Sequence, residues 1–115
     1  MIYMAEIALY NDKYMLASEY ERVWWWVFVG SRGGATRARI MRELLKNPLN
    51  RNQIAERLNL NYKTVEHHLR ILIENHLVEN PLGSKYGAPY YPSRTALSLR
   101  DVLDRLLSRA CGGEC

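Results

Sequence analysis

The stretch from Asn50 to His76, NRNQIAERLNLNYKTVEHHLRILIENH, constrains the fold more than any other part of the chain. It reads as two short helices around a tight corner. Asn50 and Gln53, three residues apart, form a capping-box pattern that opens a helix from Asn50 to Leu58, with Ile54, Ala55 and Leu58 as its apolar stripe. Asn59-Leu60-Asn61 then breaks the pattern. Asparagine tolerates left-handed backbone angles and competes for backbone hydrogen bonds, so this tripeptide predicts a corner with Leu60 as its plug. Asn61 caps a second helix running from Tyr62 to about Asn75. On a helical wheel Val65, Leu69, Leu72 and His76 fall within roughly 40° of one direction, the core face. Lys63, His67, Arg70 and Glu74 point the opposite way. Capping, corner and stripe agree on a helix-turn-helix, whose second helix enters a DNA major groove with its N-terminal residues leading. The plain alternative is a helical hairpin with a solvated basic face.

Charge placement supports the nucleic-acid reading. The net charge is +4, but residues 1–30 carry −2, residues 31–92 carry +5 and residues 93–115 carry +1. The excess sits on the segment holding the helix pair, as a phosphate-binding surface needs. At 115 residues the chain predicts one domain with a modest core, which an oligomer would help to stabilise. The longest apolar run, Val23 to Val29, falls well short of the roughly 20 residues a membrane span requires. No leader pattern is visible, so the cytoplasm is the default expectation and no membrane contact is expected.

In chain order, residues 1–17 are ambiguous between a hairpin turned at Asn11-Asp12 and an apolar helix, with helix favoured. Ser18 and Glu21 predict a capped helix through Trp24-Trp25-Trp26 to a stop at Gly30. Three consecutive tryptophans cover about 200° of a helix, more than one side can bury. Core packing with a partly exposed ring competes with a dimer interface, for which Trp24, Trp25 and Phe28 are the candidates. Membrane contact is disfavoured because Glu19 and Glu21 flank the cluster. Ser31-Arg32-Gly33-Gly34 reads as a hinge, or as a backbone approach to a phosphate. Thr36 is expected to cap a helix from Arg37 to Lys46, ended by Asn47-Pro48, with Arg37, Arg39 and Arg42 partly outward. These arginines predict a solvated face, or phosphate contact by Arg37 or Arg39.

Beyond the helix pair, Leu77–Asn80 and Pro89–Pro92 are short strand candidates around a Gly-rich turn tipped by Lys85 and Tyr86. In this context the hairpin is a wing, with Lys85 placed for a phosphate and Tyr86 for a sugar or base edge. A plain surface hairpin is the alternative. Ser98-Leu99-Arg100-Asp101 predicts another capped helix to about Ala110. Its broad stripe includes Leu99, Leu103 and Leu106, which are candidates for pairing with a twin helix.

NQIAERLNLNYKTVEHHLRILIENHLVE resembles the helix-turn-helix of winged-helix regulators of the ArsR type, archaeal relatives included. TVEHHLRIL matches the family's Thr-Val-x-x-His-Leu-x-x-Leu core, and HLV before a Gly-rich hairpin matches the start of its wing. GSRGGATRARIMRELL resembles the start of the domain in archaeal members. The resemblance covers about residues 30–95. It implies that Asn61, Tyr62, Lys63, Thr64, His67 and Arg70 face DNA, and that Arg51, Asn52 and Gln53 meet phosphates at a helix N-terminus. Lys63 and Arg70 can donate to guanine or phosphate oxygens, and Thr64 can touch a thymine methyl.

Two departures stand out. Glu66 occupies a position where the family has a small polar residue, so it needs a cytosine amine or a neighbour such as Arg70. The cysteine pair of metal-sensing members is absent from the second helix. Cys111 and Cys115 could chelate a soft metal or form a redox pair, but a frayed tail is the simpler reading. His68 reads as a satisfied structural histidine, and His76 lies where a helix end favours its protonated form. No catalytic constellation, cofactor motif or complete metal-ligand set is present.

The expected fold is mainly α with a small β-hairpin wing: a winged helix-turn-helix with extra N-terminal and C-terminal helices. Residues 1–30 form an aromatic extension, 31–97 the DNA-binding domain, and 98–115 a C-terminal helix and tail. The expected function is that of a dimeric, sequence-specific regulator of transcription on double-stranded DNA, with any small-molecule effector unassigned. A protein-docking module and a low-specificity chromatin protein are the alternatives.

Overall fold

The computed structural model describes residues 16–83 and 85–112. The hairpin-or-helix choice at Asn11-Asp12 therefore lies outside the described residues, as does Cys115.

Helix α1 spans Ala17–Trp25 and continues as a π-helical segment, Trp26–Gly30. It starts before the expected Ser18, at Leu16, because Glu19 rather than Glu21 reaches back to the chain, accepting from the Leu16 N–H at 3.5 Å. The segment buries Tyr20, Trp24, Val27 and Phe28 on one stripe and turns Trp25 and Trp26 outward. A fully buried indole needs a partner for its N–H. Trp24 finds one in the carbonyl of Asn75 at 2.8 Å, which pins α1 to the C-terminal end of the second helix of the predicted pair.

Helix α2, Gly34–Lys46, begins three residues before the predicted start at Arg37. The glycine pair allows this. Gly33 caps the helix at φ +86°, a left-handed conformation, and a Cβ on Gly34 would lie 2.2 Å from the Phe28 carbonyl oxygen. Ala38, Ile40, Met41 and Leu44 face the core, and Asn47 ends the helix as expected.

Helices α3, Arg51–Leu58, and α4, Tyr62–Glu74, form the helix-turn-helix. Asn59 sits at φ +53°, and the Leu60 N–H donates to the Ala55 carbonyl at 2.9 Å, so the corner has the left-handed turn its asparagine predicts. After α4 the chain turns through His76, also left-handed at φ +62°, into strand β1, Val78–Glu79. It pairs antiparallel with β2, Tyr91–Pro92, in the register Val78 to Pro92 and Glu79 to Tyr91. Leu49 and Tyr90 exchange both backbone hydrogen bonds, at 3.4 and 2.8 Å, which ties the base of the wing to the link between α2 and α3. The strands are shorter than predicted; Pro81, Pro89 and Pro92 supply no N–H to extend the ladder.

The C-terminal region departs from expectation. Ser93 caps a short helix, α5 (Arg94–Ser98), accepting from the Ala96 N–H at 2.9 Å while its hydroxyl donates to the His76 carbonyl at 2.6 Å. Ser98 is not a cap; its hydroxyl donates back to the Thr95 carbonyl. Helix α6, Arg100–Cys111, follows and packs on α1, the π-helical segment and α2. Leu103, Leu106 and Leu107 are buried there, in the same core as Trp24 and Phe28. Of the residues expected to meet a second copy, Trp24, Phe28, Leu103 and Leu106 thus face inward, Leu99 is half-buried and Trp25 is exposed. No helix among the described residues is long and apolar enough to cross a membrane.

Candidate nucleic-acid interface

The outward face of α4 is set by its inward anchors. Val65, Leu69 and Leu72 are buried against the core, so Lys63, His67, Arg70 and Glu74 are exposed along the opposite side. Asn61 caps the helix, its Oδ1 accepting from the Lys63 N–H at 2.7 Å. Tyr62 and Thr64 are half-buried at the leading turn. Lys63, His67 and Arg70 make no ion pair among the described residues, which leaves their charge or hydrogen-bonding capacity turned to solvent. In α3, Asn50 and Gln53 form the predicted capping box: Gln53 donates its backbone N–H to Asn50 Oδ1 at 2.8 Å, and its Oε1 accepts from the Asn50 N–H at 2.9 Å. Gln53 therefore has a structural duty besides any phosphate contact.

The wing tip comes to the same end of the helix pair. Gly83 and Gly87, at φ +74° and +79°, bracket an exposed tip carrying Lys85 and Tyr86. The Tyr86 hydroxyl accepts from Asn52 Nδ2 at 3.2 Å, joining two predicted site residues from separate segments.

Two arginines have duties that sequence reasoning did not assign. Arg51 Nη1 pairs with Glu66 Oε2 at 2.7 Å, with only 15% of the arginine side chain exposed, and its guanidinium lies over the Tyr62 ring at 5.3 Å. Glu66 is thereby neutralised by Arg51 of the preceding helix, not by Arg70. Arg70, four residues along the same helix, is the local partner the sequence offers; the close crossing of α3 and α4 supplies Arg51 instead. Burial raises the Tyr90 phenol beside this pair, keeping it neutral.

Arg37 is the larger correction. It is neither a solvated residue nor a phosphate contact but is 3% exposed. Its Nε donates to the Val27 carbonyl at 2.9 Å, Nη1 to His68 Nδ1 at 3.1 Å, and Nη2 to Ser31 Oγ at 2.6 Å and the Arg32 carbonyl at 3.0 Å. His68 is the structural histidine expected. Because an arginine only donates, His68 must accept through Nδ1 and carry its proton on Nε2. Burial first, then the Arg37 charge, then His67 pull its imidazole down to about 4. The sequence signal for this junction was the Gly33-Gly34 pair: a Cβ on Gly33 would lie 2.8 Å from His68 Cε1. Arg39 is exposed, as a solvated face predicts, and donates to the Leu58 carbonyl at the end of α3 at 3.3 Å.

Among the described residues no cluster of three or more His, Cys, Asp or Glu side chains is placed to hold a metal ion. No curated protein and no solved structure matches the chain. Residues 34–80, from the start of α2 to just past the first wing strand, match the family described as bacterial regulatory protein, arsR family, so this stretch is similar to an ArsR-type helix-turn-helix domain, a kind that serves DNA-binding regulation of transcription.

Proposed function

We propose that the protein is a dimeric, sequence-specific regulator of transcription that acts in the cytoplasm and places α4 in the DNA major groove. The observation that carries this reading is the shared orientation of three separate segments. The leading turn and outer face of α4 present Asn61, Tyr62, Lys63, Thr64, His67 and Arg70, with Asn52 of α3 and the Tyr86–Lys85 wing tip beside them. Cations without internal partners suit phosphate or guanine oxygens, and the wing suits an adjacent backbone. Arg51 and Gln53 support this surface from within: one fixes the angle between α3 and α4, the other caps α3. The family's regulatory role, with no motif for chemistry in the sequence, favours a protein that is not an enzyme.

For the dimer, the exposed surface of α1 and its continuation is the best contact. Leu16, Trp25 and Trp26 are 59%, 40% and 60% exposed on the same short segment, and aromatic residues are enriched where subunits meet. Two copies would read a pseudo-palindrome with half-sites about 10 bp apart, or a multiple of that.

Fluorescence anisotropy of random-sequence duplex DNA at several salt concentrations tests the first part. Log K is expected to fall linearly with log salt, followed by a clear preference in site selection. A salt-dependent affinity with no sequence preference would favour the low-specificity chromatin protein. No binding at about 50 mM salt would discard the DNA reading in favour of a docking module. Light scattering of Trp26→Glu should show monomers where the unaltered chain shows dimers.

A further inference from the structure

On the flank of α4 away from the wing, a cavity of about 280 Å³ opens between that helix and the π-helical segment. Trp26 and Ile71 give it apolar walls, while Arg37 and Ser31 give it polar ones. His67, on the exposed face of α4, reaches its rim.

The charge balance here is unusual. Buried cations ordinarily have an anionic partner, because neutral acceptors do not offset the loss of water around a full charge. Arg37 is buried, and four of its five N–H groups donate only to neutral acceptors: two carbonyls, a hydroxyl and an imidazole. No carboxylate pairs with it among the described residues. It also lies in the first turn of α2, where the helix dipole adds positive potential instead of opposing it. The neighbouring His68 ring, neutral or protonated, supplies no negative charge either. Among the described residues Glu74 is the one acidic residue at the cavity, and it lies exposed on the outer face of α4. The result is a recess with a positive floor, apolar walls and no internal counter-ion.

We propose that this recess binds a small organic carboxylate, its charged end at the one Nη1 N–H of Arg37 that has no acceptor among the described residues and at the exposed Arg32, and its apolar body between Trp26 and Ile71, and that occupancy alters DNA affinity through His67. Binding stands on the cavity alone. The coupling to DNA rests on the function proposed above.

Sodium benzoate titrated into the full chain without DNA, at ionic strength held constant with sodium chloride, tests the binding. Two-dimensional amide and indole NMR should show saturable shifts at Trp26, Ser31 and Ile71, and the melting temperature should climb with benzoate. Ile71→Trp, which fills the recess, should weaken benzoate about tenfold or more while the rest of the spectrum stays in place, and Trp26→Ala, which removes a wall, should weaken it as much whether or not it also loosens the dimer. Shifts that remain linear, saturable shifts elsewhere, or both variants binding like the unaltered chain would overturn the site. Inorganic phosphate saturating the same signals as tightly as benzoate would overturn the assignment of an apolar body. In a second arm, saturating benzoate should change the duplex Kd by about fivefold or more. An unchanged Kd with benzoate bound would overturn the coupling. Benzoate binding by a protein with no DNA affinity would uphold the site and overturn the DNA reading.

Discussion

An arginine holds α4 on each flank, and the two junctions follow opposite logic. On the wing side, Arg51 meets Glu66 at 2.7 Å, a carboxylate that is itself 31% exposed. On the other side, Arg37 is enclosed and meets only neutral acceptors. The first is a compensated pair that water can partly screen, so it sets an angle without binding the fold to one pH or one anion. The second is an uncompensated charge, held by hydrogen bonds that converge from the π-helical segment, the glycine hinge and α4. That makes it the stiffer joint and the more sensitive one. Helix α4 thus has a tolerant side facing the wing and a sensitive side facing the aromatic N-terminal helix.

Removing the enclosed guanidinium is expected to have the largest effect. Arg37→Ala leaves the Val27 and Arg32 carbonyls and His68 Nδ1 without their donor, and unmet buried acceptors outweigh the relief of an unpaired charge. A loss of stability on the order of 3 kcal/mol is expected in urea denaturation. A loss below about 1 kcal/mol would mean that water replaces the arginine readily, and the contrast between the flanks would collapse.

Acid should expose the same asymmetry. The folded His68 imidazole, 7% exposed, titrates at about 4 against an ordinary value of 6.5. Between those values the unfolded chain takes up a proton that the folded one refuses, so stability is intact above about pH 6.5 and is lost as the pH falls towards 4. The loss is on the order of 2–3 kcal/mol. His68→Asn keeps an acceptor near the Nδ1 position but cannot titrate, so its stability should vary less across that window. Equal pH profiles for the two proteins would remove His68 as the cause.

On the wing flank a smaller effect is expected. A double-mutant cycle of Arg51→Ala and Glu66→Ala should give a coupling energy on the order of 1 kcal/mol, because the pair is only partly shielded from water. A coupling as large as the Arg37 effect would show that both flanks are rigid.

The same contrast separates what was legible in the sequence from what was not. The wing-side helix pair is built from contacts a few residues apart. The Asn50–Gln53 box, the left-handed Asn59 and the Asn61 cap are all local, and each was readable. Arg51 and Glu66 are 15 residues apart, and Arg37 and His68 are 31 apart, so their pairing depends on how helices cross. Periodicity in the outer helices correctly marked the apolar stripe but not its partner. Trp24 and Leu103 have the spacing of an interface, and both are buried in the core of the chain itself. Ser98 is the cap the local pattern predicts; Ser93, which the pattern does not single out, is the one that serves, its hydroxyl held by the carbonyl of His76. Of the tertiary contacts, only the approach of α2 left a local trace, in Gly33-Gly34.

The smallest effects per residue belong to the exposed face between the two flanks. Lys63→Ala, Arg70→Ala and Lys85→Ala should each weaken DNA binding by about 1 kcal/mol, roughly fivefold, with unchanged melting temperatures. How the loss depends on salt and sequence distinguishes their roles. A residue that only neutralises a phosphate should lower the slope of log K against log salt by about 1 and weaken all sequences alike. One that reads a base should leave much of that slope in place and flatten the preference at one position. Lys85, on the wing tip, is expected in the first class. Lys63 and Arg70, on α4, are expected to show the second, at least at the leading turn. Three variants that bind like the unaltered chain would show that the exposed face of α4 and the wing tip are not the DNA surface, and would leave the two arginine junctions as features of the fold alone.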